Sequence, residues 1–303
     1  MMLSLPALDA LNPLGFFAAL GLLRVLDAND QRARLAFADR LAVLDTPLSL
    51  DEVIGIVLAD AAAQRANPAL RLAYDEGGLV DPDAAAAVRD LKPKPGVARE
   101  FLRRCAAADR RVADLAAALV SDVIQDRAKG NAKPTAFHFT AGKQTFLSMV
   151  EGLRAGIGAA DLREALVGPW RYESLLPSLS WDSTMSRNYA LRASDPSAEK
   201  RGSVPGAYWL AVQGLAFFPV VVAGDELRTT GVAGGWKTGV FRWPVWSVPL
   251  SVPVAAALLR LDAAALSARE RAAFGIADVF ASRITRADSG GYGAFSPADV
   301  VIE

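Results

Sequence analysis

The sequence predicts an α+β (mixed α/β) fold, with antiparallel or mixed sheets packed against several helices. Three observations lead there. Segments such as RLAFAD and RLAVLDT alternate apolar and polar residues, as half-buried strands do. Longer segments repeat apolar residues at intervals of three and four, as helices do. Apolar residues make up 52% of the 303, which supplies a core, and the 22% charged fraction is too ordinary for disorder over the whole length. The length suits one large domain or two of ordinary size.

Residues 3–11 read as an opening strand or extended arm. Asn12-Pro13 is a helix start, a capping Asn followed by Pro at the first helical position. That helix runs to about Leu26 and is apolar on most sides, so it is read as buried; an association face is the other reading. Leu35, Phe37, Leu41 and Val43 mark a hairpin. Ser49, Asp51 and Glu52 open a helix over about 50–65. ALRLAYDEGG reads as a strand and 81–90 as a short helix. LKPKPG (91–96) reads as a loop, since two prolines disrupt a helix interior. Residues 97–127 read as two helices or one bent one.

KGNAKP (129–134) is basic and carries Gly and Pro. It sets the expected boundary between an N-terminal domain over 1–130 and a C-terminal domain over 131–303, unless the two are continuous. TAFHFTAG then reads as a strand and 143–155 as a helix. A short helix spans Leu162–Val167. SLSWD and NYALRAS read as strands, 204–217 as a helix, and PVVVAG as a buried strand. ELRTTGVAGGWKTGVFRWPVW reads as paired strands around a Gly-rich loop. Ser251–Leu261 reads as a helix, and ASRITRADSGG leads into strand-like remnants.

Several functions are disfavoured. Lys plus Arg equals Asp plus Glu at 33 each, so any nucleic-acid contact has to come from a local patch. Cys105 is the only cysteine, which excludes an internal disulfide and fits a buried thiol in a reducing compartment. The first residues lack a basic n-region, and no apolar stretch is long enough for a membrane helix. A cytoplasmic protein without a membrane partner is expected. His138 is the only histidine, which excludes zinc sites of mixed His and Cys type. It reads as a hydrogen-bonded structural residue. Asp182, Asp195, Asp225 and Glu226 read as turn residues. No catalytic residue, metal or cofactor is assigned.

Two features point toward phosphate. AGKQT (141–145) lacks the spacing of a phosphate-binding loop, since Phe137 and Gln144 stand where Gly and Ser or Thr belong. Gly142 and Lys143 would still face an anion from a helix start, which leaves open an enzyme for a nucleotide or phosphate ligand. Secondly, Arg187, Tyr189 and Arg192, and further on Trp236, Lys237 and Arg242, interleave cations with aromatic rings. Cations bind phosphates and rings stack bases. Lys143, Arg187, Arg192, Lys237 and Arg242 are therefore the candidate phosphate contacts, and Tyr189 and Trp236 the stacking candidates. Core tryptophans with solvated charges, or a protein–protein hot spot, are the competing readings.

The opening NPLGFFAALGLLRVL (12–26) resembles that of CRISPR-associated proteins of type I-G, formerly I-U, including the large subunit of that subtype. A shorter family, the helicase–nuclease extension, is similar through FTAGKQTFL (139–147), PSLSWDSTMSRNYALRASDPS (177–197), AYWLAVQGLAFFP (207–219), and TTG with WP (229–231 and 243–244). Members of that family often carry Trp-Asp-Pro centrally; here Ser183 follows Trp181-Asp182. The resemblance implies a non-catalytic accessory subunit of a type I CRISPR effector or its helicase–nuclease. Its partners would be effector subunits, with crRNA or target DNA as the nucleic acid.

Overall fold

The structure, a computed structural model, describes residues 1–140, 144–185, 202–287 and 292–301. Strand β1 (Met2–Asp9) leads into helix α1 (Pro13–Ala28). The Asn12 side chain accepts the Leu14 amide and Pro13 takes the first helical position, as the sequence predicts. Every residue from Pro13 to Leu26 is buried. The reading of α1 as an association face is thereby overturned, because the chain itself covers all of its sides. Strands β2 (Arg34–Ala38) and β3 (Leu41–Asp45) form the expected hairpin, and β1 adds to the free edge of β3. Helix α2 (Leu50–Ala63) begins with a reciprocal capping box between Ser49 and Glu52.

The middle of the chain departs further from expectation. ALRLAYDEGG yields only β4 (Tyr74–Asp75), paired with β5 (Gly78–Leu79), after a 3₁₀ turn at Pro68–Leu70. The helix expected over 81–90 is absent, for the Asp81 carboxylate takes the Asp83 amide and closes a turn around Pro82. Helix α3 (Pro95–Ala108) starts on the second proline of the expected loop, and α4 (Arg110–Leu119) starts on the Asp109 cap. The chain then extends as β6 (Val120–Gln125), where helix was expected as far as residue 127. Three β-branched residues, Val120, Val123 and Ile124, favour the strand. Asp126 accepts the amides of Ala128, Lys129 and Asn131, which turns the chain into β7 (Ala132–Pro134). This hairpin joins residues on both sides of position 130.

Helices α5 (Phe146–Gly156) and α6 (Ala159–Val167) follow, then α7 (Pro205–Gly214) after the segment outside the described residues. The NYALRAS strand expectation (188–194) lies wholly outside the described residues. SLSWD is not a strand; Ser180 sits at φ +61°. Strands β8 (Val220–Ala223) and β9 (Glu226–Thr229) pair as a two-stranded ribbon. PVVVAG is thus not buried: Val221 and Val222 are exposed. A ribbon of two strands cannot cover both of its faces. The largest sheet holds β10 (Val232–Ala233), β11 (Val240–Trp246), β12 (Ile276–Arg286), β13 (Gly293–Phe295) and β14 (Asp299–Val300). Helices α8 (Val252–Leu258) and α9 (Ala268–Ala273) lie between β11 and β12 in the chain. The described strands pair antiparallel, and helices pack on them, so the fold is a mixed α+β one.

One core runs from Leu5 to Phe295. At its centre α1 crosses α7, whose residues are all buried. A Cβ on Gly21 would stand 1.7 Å from the Leu210 carbonyl oxygen, and one on Gly214 would stand 2.1 Å from that of Phe17. Only glycine admits this approach of two backbones. Around the crossing, Phe16, Phe17, Phe137, Phe218, Phe241 and Trp243 pack ring to ring. Three buried indoles find carbonyl partners: Trp243 donates to Ala10, Trp246 to Leu35 and Trp181 to Phe137, while the Trp209 indole N–H has none among the described residues. Gly21→Ala and Gly214→Ala should each cost about 3 kcal/mol or more. Gly55→Ala, at an exposed site of α2 with open space around it, should be neutral or stabilise by about 0.5–1 kcal/mol. Urea midpoints compared across the three variants check this.

Candidate nucleic-acid interface

Of the seven contact residues named from the sequence, Lys143, Arg187, Tyr189 and Arg192 lie outside the described residues. The other three sit on the β10–β11 hairpin. Two-residue alternation along β11 buries Phe241, Trp243 and Val245 and leaves Arg242 exposed between them. Trp243 and Trp246, which interleave with the charges in the sequence, are core residues with no exposed face.

The loop that joins the two strands is built on glycine. Gly234 adopts φ of +86°, and a Cβ on it would stand 2.7 Å from the Thr238 carbonyl oxygen; Gly231, in the turn just before β10, adopts φ of +76°. The Thr238 hydroxyl accepts the Gly235 amide and the Thr238 amide donates to the Gly235 carbonyl. This tight turn holds Trp236, half-buried, and Lys237, exposed. Trp236 lines a small groove of about 80 Å³ with Lys133 and Arg228. Arg242 instead lines a pocket of about 300 Å³ with Leu259 and Asp262. Val232 lines both, so β10 separates Arg242 from the Trp236–Lys237 pair.

Sequence reading missed the residue that organises this surface. The Arg286 guanidinium lies 3.6 Å from the Trp236 ring centroid and 5.2 Å from that of Phe139. It donates from Nε to the Trp236 carbonyl, from Nη1 to that of His138 and from Nη2 to that of Ala136. No carboxylate pairs with it among the described residues. Burial pushes its pKa down to about 9. Three of the five guanidinium N–H donors are thus used, and two remain. Lys92 is nearby. Burial lowers its ammonium, Asp90 opposes this, and the charges of Arg286 and Lys129 add to the lowering. A formally neutral chain thus concentrates positive charge locally.

These bonds also explain why the described part of TAFHFTAG, residues 135–140, is not a strand. A ladder would need its carbonyls, and they are taken. Arg286 holds those of Ala136 and His138, Trp181 holds that of Phe137, and the Gly293 amide holds that of Phe139. The chain turns at Thr135–His138 instead. Helix α5 begins at Phe146, past Gln144. The strand–turn–helix expected around Gly142 and Lys143 therefore lacks its strand.

Asp90 fixes the same segment from the other side. Its Oδ1 lies 2.8 Å from His138 Nε2 and accepts the Phe146 amide at 3.1 Å. The Leu147 amide donates to the Arg89 carbonyl. The two residues together cap α5, whose Thr145 supplies no side-chain cap. His138 is fully buried, with Thr140 Oγ1 at 3.1 Å from Nε2 and Nδ1 without a partner among the described residues. Burial holds the imidazole below its usual 6.5, and the bond to Asp90 only partly offsets this. It is neutral at pH 7, and Nε2–H donates to the carboxylate. Burial would raise Asp90, but the bonds from His138 and from the Phe146 and Leu91 amides hold it down at about 2.

Among the described residues no three His, Cys, Asp or Glu side chains gather as metal ligands. The Cys105 thiol is buried, which pushes its pKa up to about 12 and makes it a poor nucleophile. Asp182 does more than make a turn. It is buried, and it accepts from Asn12, Tyr172 and Thr184, which ties the α1 cap to the Trp181 segment. No described helix is long and apolar enough to cross a membrane. No family model matches the chain, and no curated protein matches it.

The His138–Asp90 contact makes the protein's stability sensitive to acid. Below pH 6.5 the unfolded chain takes up a proton on His138 that the folded chain resists, so stability falls as pH drops. Asp90 contributes above pH 3.8, and its share is lost as pH falls toward about 2. Asp90→Asn should cost about 1–3 kcal/mol at neutral pH and flatten the acid loss between pH 3.8 and about 2. Urea unfolding across a pH series checks both.

Proposed function

We propose that this chain is a non-catalytic accessory subunit of a type I CRISPR effector, or of its helicase–nuclease, contributing protein contacts and crRNA or DNA contacts in antiviral defence. The family resemblance of the 12–26 and 177–197 segments supports the assembly. The observation that carries the nucleic-acid contact is the Arg286 guanidinium. It is stacked on Trp236, held by three carbonyls and paired with no described carboxylate. Such a cation is pre-oriented, so little side-chain entropy is lost when it meets a phosphate. Exposed Lys237 and the half-buried Trp236 ring stand beside it, and Lys133 and Arg228 rim the adjoining groove. Arg242 lies apart from them, on the far side of β10, and would add a separate cation.

Formal neutrality agrees with a subunit whose attachment is mainly to protein. Free nucleic-acid binding should then be weak and salt-sensitive. Lys237→Gln and Arg242→Gln should each weaken binding of single-stranded RNA or DNA and reduce the slope of log K against log salt by about one. Trp236→Ala should weaken binding by about 1–3 kcal/mol with little change in slope. Fluorescence anisotropy at several salt concentrations reads all three. A tagged pull-down from the native host, with and without nuclease, reads the assembly. Effector subunits recovered despite nuclease would support a protein-mediated role. Their absence under both conditions would refute the CRISPR reading.

A further inference from the structure

A second cationic site lies away from the hairpin. Five segments meet there: the 3₁₀ turn after α2, the turn after Leu70, the turn at Pro82 and Asp83, Arg89 just before Asp90, and one face of α5. They enclose a polar pocket of about 270 Å³ lined by Arg65, Arg71, Arg89 and Arg154, with Asp83 and Glu151. Arg154 is spoken for. It makes a two-pronged pair with Glu151 at 2.8 and 2.7 Å, and its remaining nitrogen donates to the Ala61 carbonyl. Arg65, Arg71 and Arg89 have no ion pair and no side-chain hydrogen bond among the described residues. The Nε of Arg89 is buried without any acceptor. A buried donor left unmade costs about 1–3 kcal/mol, and an orphan in a native fold calls for a missing partner.

We propose that this pocket binds a phosphoryl group, as free phosphate or as a phosphate monoester. Charge matches. Four guanidiniums against two carboxylates leave a formal surplus of two positive charges, and a phosphate monoester carries about −1.5 to −2 at neutral pH. A carboxylate ligand would neutralise only half of that surplus. Chemistry matches too, since guanidinium forks bind phosphate oxygens in pairs, and Arg65, Arg71 and Arg89 have no hydrogen bond or ion pair among the described residues that a phosphate would have to break. Size sets the class. The volume is at or below the low end for small-molecule sites, which suits a phosphate with a small substituent rather than a length of polymer. The site is also fixed in place. The Arg89 carbonyl receives the Leu147 amide, and Asp90 receives that of Phe146, so the Arg89 backbone is anchored to the helix that carries Arg154.

The test is titration calorimetry of the full chain with inorganic phosphate, a nucleoside 5′-monophosphate, and short oligonucleotides bearing either a 5′-phosphate or a 5′-hydroxyl. Binding of phosphate or the monophosphate is expected, with stabilisation against heat. Binding should weaken about tenfold or more in Arg71→Gln and in Arg89→Gln, since each removes a charge-assisted contact. Preference for the 5′-phosphorylated oligonucleotide over the small ligands would assign the site to a nucleic-acid end; the reverse would assign it to a metabolite-sized ester. If Arg89→Gln unfolds, Arg65→Gln at its exposed position carries the same test. No binding of any phosphate probe, or binding unchanged in variants that retain their circular dichroism, overturns the proposal. Neither result bears on the Trp236 surface, which is read separately by its salt dependence.

Discussion

The contact on which the rest of the structure depends is the crossing of α1 and α7 at Gly21 and Gly214. Two helices that are buried on nearly every side have no solvent face to set their orientation. Backbone approach fixes it instead. Once the carbonyls of Phe17 and Leu210 lie against the opposing glycines, the aromatic side chains on either side have one arrangement available. Phe16 and Phe17 then meet Phe218, Phe241 and Trp243, and the β11–β12 sheet has its place against the first helix.

Such an apolar interior leaves few partners for its polar atoms, and their bonds are correspondingly decisive. Three indoles donate to carbonyls more than forty residues away in the chain, and so tie the first hairpin, the α1 cap and the 135–140 turn to the later segments. Arg24, buried within α1, loses pKa to about 10 through desolvation and is held by the Gln213 and Arg111 carbonyls. The same rule operates at 136–139. Its carbonyls are satisfied by Arg286, Trp181 and Gly293, so the segment forms no ladder and becomes the seat of the cationic surface. Packing and the proposed function share one set of bonds there.

Much of the fold is legible because its signals are local. A cap and its helix are separated by a few residues, so Asn12-Pro13, Ser49 with Glu52, and the β2–β3 alternation each reveal an element from a short window. The candidate interface is legible only in part. Trp236, Lys237 and Arg242 stand out by composition, yet nothing in a short window separates them from Trp243 and Trp246, which are core. Arg286 gives no signal at all. Its partners lie about fifty and about one hundred and fifty residues away.

The sequence by itself determined the mixed helix and strand content, the caps, the buried character of α1 and the single thiol that forms no internal bond, because propensity, period and composition act between near neighbours. Tertiary structure decided which backbone groups would be free to form ladders, which tryptophans would be core, and where unpaired arginines would gather. Those outcomes depend on desolvation and on partners distant in the chain. A guanidinium reads the same in any sequence, and its neighbours in space decide whether it is solvated, paired or held ready for an anion.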